Sequence, residues 1–213
     1  MSLPLVTERL LLRWPIESDF TDLSTLWTDP RVAQFMDDYG PRDEPGVRQW
    51  LDTHLGGGGQ DPSPLQLMLT RRTDSAVVGW LGLGTSQDPL ADWNFGYAVH
   101  PSHRANGYAT EALKAALTYC HTSLSINTIW GECHQANKAS AHVMTSAGMQ
   151  ETTPTPTSRR FLYPPTPDPR SGSRTHTESW ITVKNSAQPQ PKSTNGPTPG
   201  GFPLVAWRHP LRR

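Results

Sequence analysis

Arg104-Ala105-Asn106-Gly107-Tyr108-Ala109-Thr110-Glu111-Ala112 is the stretch on which the fold turns. It has the form R-x-x-G-x-A. Before it, Trp93-Asn94-Phe95-Gly96-Tyr97-Ala98-Val99 is aromatic-rich and is stopped by Pro101, as a strand would be. After it, Leu113, Leu117 and Cys120, with Ala116 beside them, recur at helical spacing and predict a helix over about residues 109–121. A Gly-containing loop that feeds a helix start exposes unpaired backbone N–H groups at the positive end of the helix dipole, a place suited to phosphate oxygens. The other reading is an ordinary strand-to-helix turn in which Gly107 only supplies a permissive backbone.

Working outward, Thr7-Glu8-Arg9-Leu10-Leu11-Leu12-Arg13 reads as a strand bracketed by charges. Asp19 is a candidate cap for a helix carrying Phe20, Leu23, Leu26 and Trp27 and closing near Asp29-Pro30. A second helix carries Val47, Trp50 and Leu51 and ends at Gly56–Gly59, since four glycines cost too much backbone entropy inside an element. Leu65-Gln66-Leu67-Met68-Leu69 and Ala76-Val77-Val78-Gly79-Trp80-Leu81-Gly82-Leu83, joined by a polar turn, predict an antiparallel hairpin. Ile126–Cys133 reads as a further strand, and Asn137–Ala147 as a helix stopped by Gly148. Beyond Glu151 the character changes: 12 of the 21 prolines fall in the last 63 residues, which excludes a long helix there. Two short strands, Arg160–Tyr163 and Glu178–Val183, are expected, the second as a closing strand of the sheet. Residues 186–213 read as a Pro-rich mobile tail on a domain spanning 1–185.

Composition narrows the function classes. Lys plus Arg and Asp plus Glu balance at 19 each, so no net field calls for nucleic acid or an anionic membrane. No apolar run approaches bilayer length and none follows a basic N-terminus, so the expectation is a cytoplasmic protein. Cys120 and Cys133 are not spaced as a redox or zinc pair, and the histidines show no H-E-x-x-H spacing; no metal site is expected.

Three places together resemble the GNAT superfamily of N-acetyltransferases, and within it the RimJ/RimL-like group that acetylates protein N-termini. They are the Thr7–Arg13 opening; Gly96-Tyr97 followed by His103–Ala112; and Asn137-Lys138-Ala139-Ser140 with Gly148-Met149. The likeness spans about residues 7–150. It implies an α/β fold, a mixed and mostly antiparallel splayed sheet flanked by helices. It also implies acetyl-CoA as acyl donor and an amine as acceptor: a protein N-terminus, a polyamine-like metabolite or an aminoglycoside. A homodimer is compatible with it. A non-catalytic acyl-CoA-binding module is the alternative of a different class.

The resemblance places the diphosphate at Arg104, Ala105, Asn106, Gly107, Tyr108, Ala109 and Thr110, with Arg104 either meeting a phosphate or bracing the loop. It lays the pantetheine arm in a splay between residues 93–99 and 126–133, against backbone groups of Tyr97, Ala98 and Val99. Asn137 becomes a partner of that arm, a helix N-cap, or both. Proton handling is where the match thins. The family's frequent Glu and Tyr are replaced by Asn94 and Met144, neither of which can act as acid or base. Glu132 and His134, two apart on one strand face, are the remaining catalytic candidates with Asp92 nearby. Lys114 and Lys138 are either phosphate neighbours or solvated helix charges. The acidic run Asp37, Asp38, Asp43 and Glu44 borders the expected acceptor groove and adds weight to a small cationic acceptor.

Overall fold

The hairpin read from Leu65 to Leu83 is the centre of the sheet. In the computed structural model the described residues are 3–36, 40, 43–57, 65–86, 88, 91–152 and 154–163. All lie in the first of two units, Met1–Thr166. The Glu178–Val183 strand, the 186–213 tail, and Asp37 and Asp38 of the acidic run lie outside the described residues.

Among the described residues eight strands form one sheet: β1 (Leu5–Val6), β2 (Leu10–Arg13), β3 (Leu65–Arg71), β4 (Val77–Thr85), β5 (Trp93–Val99), β6 (Ile129–His134), β7 (Gln150–Glu151) and β8 (Ser158–Tyr163). Their spatial order is β1-β2-β3-β4-β5-β6-β8-β7. Every neighbouring pair is antiparallel except β5 and β6, which run parallel. Helices α1 (Phe20–Thr28), α2 (Pro30–Ala33) and α3 (Glu44–His54) belong to one face; α4 (Tyr108–Ser123) and α5 (Lys138–Ser146) belong to the other.

Alternation explains how one strand serves two cores. Leu65, Leu67 and Leu69 of β3 join Leu113, Ala116, Leu117 and Met144 on the α4 face, whereas Met68 joins Leu23, Leu26, Val47, Leu51 and Trp80 on the α1/α3 face. Each fully buried Leu contributes about 1.5–3 kcal/mol. With both faces covered, residues 65–70 are all buried, and the strand reads as a nearly continuous apolar run.

Two local expectations are corrected. The Thr7–Arg13 segment is a strand only from Leu10. Thr7 accepts the Leu10 amide on Oγ1 (2.9 Å) and its own amide bonds the Leu10 carbonyl (2.9 Å), which folds Thr7–Leu10 into a turn between β1 and β2. Asp19 precedes α1 but makes no side-chain cap to it. Its buried carboxylate instead takes Arg13 Nη1 and Nη2 at 2.7 Å each and the Ile16 amide at 2.9 Å, because desolvating a carboxylate demands a counter-charge and several donors. Elsewhere α1, α3, α4, α5, the hairpin and β8 lie where the pattern puts them; the short α2 was not expected, and it starts where Asp29 Oδ1 caps the Arg31 amide and Pro30 supplies a ready first-turn φ. β6 begins at Ile129, since the Ile126 amide is spent closing α4 on the Cys120 carbonyl (3.0 Å).

Candidate active site

The parallel pair β5–β6 is joined by only two rungs, Trp93↔Ile129 and Asn94↔Trp130. Beyond them the strands part while each stays paired on its outer side: β5 to β4 as far as Val99, and β6 to β8 as far as His134. The Trp93 amide bonds Thr128 and the His100 amide bonds Val78. With an unbroken register between, period two turns the backbone groups of Phe95, Tyr97 and Val99 into the gap. On the other lip the same alternation turns Glu132 inward. The sheet thus carries an open notch edged by unpaired main chain.

At the open end of the notch lies the 104–110 loop. Ala105 and Gly107 have φ of 61° and 77°, the left-handed region, which folds the main chain back on itself before α4. Gly107 is the α4 N-cap and offers no side-chain cap. Among the described residues, no backbone N–H from Arg104 to Thr110 has a partner. Successive free N–H groups at the start of a 16-residue helix form an anion-binding concavity.

The loop is held from behind. Glu111 Oε1 accepts the Thr7 hydroxyl (2.6 Å) and the Arg9 amide (2.8 Å), and Oε2 accepts Arg9 Nε (2.7 Å). Arg9 passes on to the Asn106 carbonyl (2.8 Å) and lies 5.0 Å above the Tyr108 ring. Arg104 donates to the carbonyls of Val99 (3.4 Å) and Arg31 (3.1 Å), so its side chain braces the loop. The Glu111–Arg9–Thr7 latch was not read from the sequence, because it joins residues about a hundred apart.

Residues 9–150 match the model of the acetyltransferase (GNAT) domain. The chain belongs to the GNAT acetyltransferase family. An uncharacterized N-acetyltransferase p20 of Bacillus licheniformis is 28% identical over 151 residues, 69% of this chain and 82% of that protein. Among solved structures, RimL, a ribosomal alpha-N-protein acetyltransferase in complex with coenzyme A, superposes with a TM-score of 0.63 at 16% identity, covering 76% of this chain and 97% of that one. Spermidine N-acetyltransferase of Vibrio cholerae, with CoA and spermine, gives 0.62 at 15%, covering 73% and 95%. GNAT acetyltransferases use acetyl-CoA as the acyl donor.

The two positions where the resemblance looked for a Glu and a Tyr are buried. Asn94 is 4% exposed and Met144 1%. Glu132 lies 3.4 Å from Arg160, and His134 is exposed, its Nδ1 taking the Ala136 amide at 3.1 Å. The structure therefore leaves both on the α1/α3 side of β6, each already engaged. Tyr97 hydrogen-bonds Ser140 Oγ (2.8 Å), and burial pushes its phenol far up, so it stays protonated. Asn137 Oδ1 caps α5 through the Ser140 amide (3.1 Å), which is the N-cap reading; its side-chain Nδ2 has no hydrogen bond among the described residues. Ala109 and Thr110 are half-buried in the first turn of α4, and Ala98 packs on the α1/α3 face. No group of His, Cys, Asp and Glu among the described residues could hold a metal, and no described helix is long and apolar enough to cross a membrane.

Gly131 shows how closely the closed end is packed. A Cβ there would stand 2.4 Å from Phe95 Cζ and 3.0 Å from Met144 Sδ. Gly131→Ala is expected to cost about 1–3 kcal/mol through overpacking. At about 2–4 °C per kcal/mol for a chain of this size, calorimetry should read a clear drop in Tm.

Proposed function

We propose that this chain transfers the acetyl group of acetyl-CoA directly to a primary amine, either a protein N-terminus, as in RimJ/RimL-type enzymes, or a small amine. The observation that carries the reading is the notch between β5 and β6, edged by unpaired backbone and ending at a loop of unclaimed N–H groups.

In this reading the N–H groups of Arg104–Thr110 hold the diphosphate, Gly107 lets the main chain come close, and the inner edges of β5 and β6 pair with the amides of the donor's arm. Asn137 Nδ2 is placed to join them. An N–H in the Tyr97–Val99 segment polarises the thioester carbonyl. The amine lone pair attacks that carbon, the C–S bond breaks, the nitrogen gives up a proton and the sulfur gains one. Glu132 and His134 are carried forward as the proton acceptors to test, acting through water. Cys120 and Cys133 are buried, and burial pushes their thiols up, Cys120 to about 12, so neither supplies a thiolate for an acyl-enzyme.

The test pairs a thermal shift with acetyl-CoA and desulfo-CoA with a free-thiol assay across amines. A ligand at a hundred times its Kd stabilises the native state by about 2.7 kcal/mol. A saturable shift with thiol release supports the enzyme, a shift without turnover supports the binding module, and no shift ends both. Gly107→Val is expected to abolish the shift: its φ of 77° costs a branched residue about 1–2 kcal/mol, and the side chain adds bulk where the phosphates lie. Thermal titration of the variant checks this.

A further inference from the structure

The closed end of the notch is blocked by a side chain that crosses it. Phe95 and Gly131 are the first residues beyond the last rung, Asn94↔Trp130, one on each parting strand. Phe95 is buried and reaches over β6: a carbon added at Gly131 would stand 2.4 Å from Phe95 Cζ, 2.5 Å from Cε1 and 3.0 Å from Met144 Sδ. Contacts that short do not occur between unbonded carbons, so not one further carbon fits there. Gly131 does not have the positive φ that calls for glycine; space, not backbone, explains the residue. Met144, also buried, closes over the ring from α5. The Phe95 ring is held on its other side as well. Tyr97 lies nearly parallel to it, 15° apart with centres at 6.2 Å, and the Tyr97 hydroxyl is tied to Ser140 Oγ at 2.8 Å.

We propose that Phe95, Gly131 and Met144 form the stop that measures the acyl chain of the donor, admitting acetyl and excluding butyryl and longer groups. This deepens, and rests on, the acetyl-transfer reading. Placement follows from length. Arg104 Nε donates to the Val99 carbonyl, so the diphosphate loop begins beside the end of β5. The donor's arm from phosphate to sulfur is about as long as four or five extended residues, roughly 15 Å. Counted back from Val99 along β5 at about 3.3 Å per residue, it ends at Phe95 or Asn94. The thioester then lies against the Phe95 ring, and an acetyl methyl reaches no further. Each added methylene has to move forward into the paired backbone of Asn94 and Trp130 or sideways into the Phe95–Met144 contact. Neither is soft, because overpacking displaces side chains and backbone together. Smaller residues at 95 and 144 would remove the second barrier and leave the first. Met144 thereby has a use at a position where it can serve as neither acid nor base.

The test uses the full chain and measures Kd by thermal titration for CoA, acetyl-CoA, propionyl-CoA and butyryl-CoA. A methylene in a fitted site changes affinity by about tenfold or more, so acetyl-CoA is expected to bind at least tenfold more tightly than butyryl-CoA, with propionyl-CoA between. Met144→Ala and Phe95→Leu should each bring that ratio to within about threefold of one, by strengthening butyryl-CoA and not only by weakening acetyl-CoA. Met68→Ala, the same truncation in the core under α1 and α3, should lower Tm and leave the ratio unchanged. The shift with CoA itself, which carries no acyl group, shows that each variant is folded and keeps its donor site. Equal binding of acetyl- and butyryl-CoA by the wild type, or a ratio that survives both Met144→Ala and Phe95→Leu, overturns the stop and leaves acetyl transfer standing. A ratio that collapses equally in Met68→Ala overturns it too, since selection would then come from general tightness of the fold. Absence of a shift with all four ligands removes the acetyl-transfer reading, and the stop falls with it.

Discussion

Replacing Glu111 with alanine is expected to lower stability by about 2–3 kcal/mol and to weaken acetyl-CoA binding at least tenfold. The carboxylate accepts four hydrogen-bonding contacts, all from Thr7 and Arg9. Charge-assisted bonds contribute about 1.5–3 kcal/mol each when shielded. Arg9 is 44% exposed, so solvent discounts its share and the whole latch is worth little more than one such bond. The effect on binding follows from geometry. Without Glu111, Arg9 loses its anchor, and with it the grip on the Asn106 carbonyl that holds the loop open towards its ligand. Acid should mimic the mutation. Burial raises the Glu111 pKa, but the bonds from Thr7 and Arg9 outweigh it and leave the carboxyl below its ordinary 4.5. A folded-state value below the unfolded one means stabilisation that is present in full above about 4.5 and is lost as pH falls through the folded value. Urea unfolding of the wild type and Glu111→Gln should therefore differ most near neutrality and converge as the pH falls through the folded-state value. A gap that persists into acid would place the stabilisation in packing instead.

What the sequence disclosed and what it withheld follow a physical division. Periodicity reports burial, so the Leu65–Leu83 hairpin, the 93–99 strand and the helix after Gly107 were legible where one residue in two, or in three to four, had to be apolar. Backbone freedom is legible too: Gly107 and Gly148 sit at φ of 77° and 92°, where glycine was expected. Long-range polar pairing leaves no local signature. Glu111 with Arg9, Asp88 with Arg160, and Tyr97 with Ser140 join residues far apart in sequence, and nothing in either member's neighbourhood names the other. Asp19 was misread for the same reason, since a helix-start Asp looks alike whether it caps the helix or pairs with Arg13. The candidate site divides likewise. The loop proposed to hold the donor is one contiguous run and could be read directly. Arg160 and Asp88 come together from distant segments, so neither stood out.

Trp80→Ala is expected to be the most damaging core change, at about 3–5 kcal/mol. Trp80 is fully buried, its Nε1–H bonds Gln66 Oε1 (3.0 Å), and its ring meets those of Trp27 at 5.5 Å and Trp50 at 6.4 Å. Its indole also lies over Gly82, where an added Cβ would be 2.5 Å away, and Gly82 is paired with Gly96 of β5. Truncation therefore opens a hole whose sheet side is glycine, which has no side chain to fill it, and strands the Gln66 oxygen as well. Trp80→Phe separates the two losses: it keeps most of the ring volume but not the donor, and should cost about 1–3 kcal/mol, the range for an unmet buried acceptor. The hole underlies the strand whose far edge lines the notch, so acetyl-CoA affinity should fall alongside stability in Trp80→Ala. Urea unfolding and acetyl-CoA titration on the same samples decide the role of this residue. Parallel losses mean that Trp80 supports the site by holding β4 and β5 in place. A variant of unchanged stability with reduced turnover would instead make the indole a wall of the acceptor groove, and the α1/α3 layer would have to draw its stability from Leu23, Leu26, Val47 and Leu51 alone.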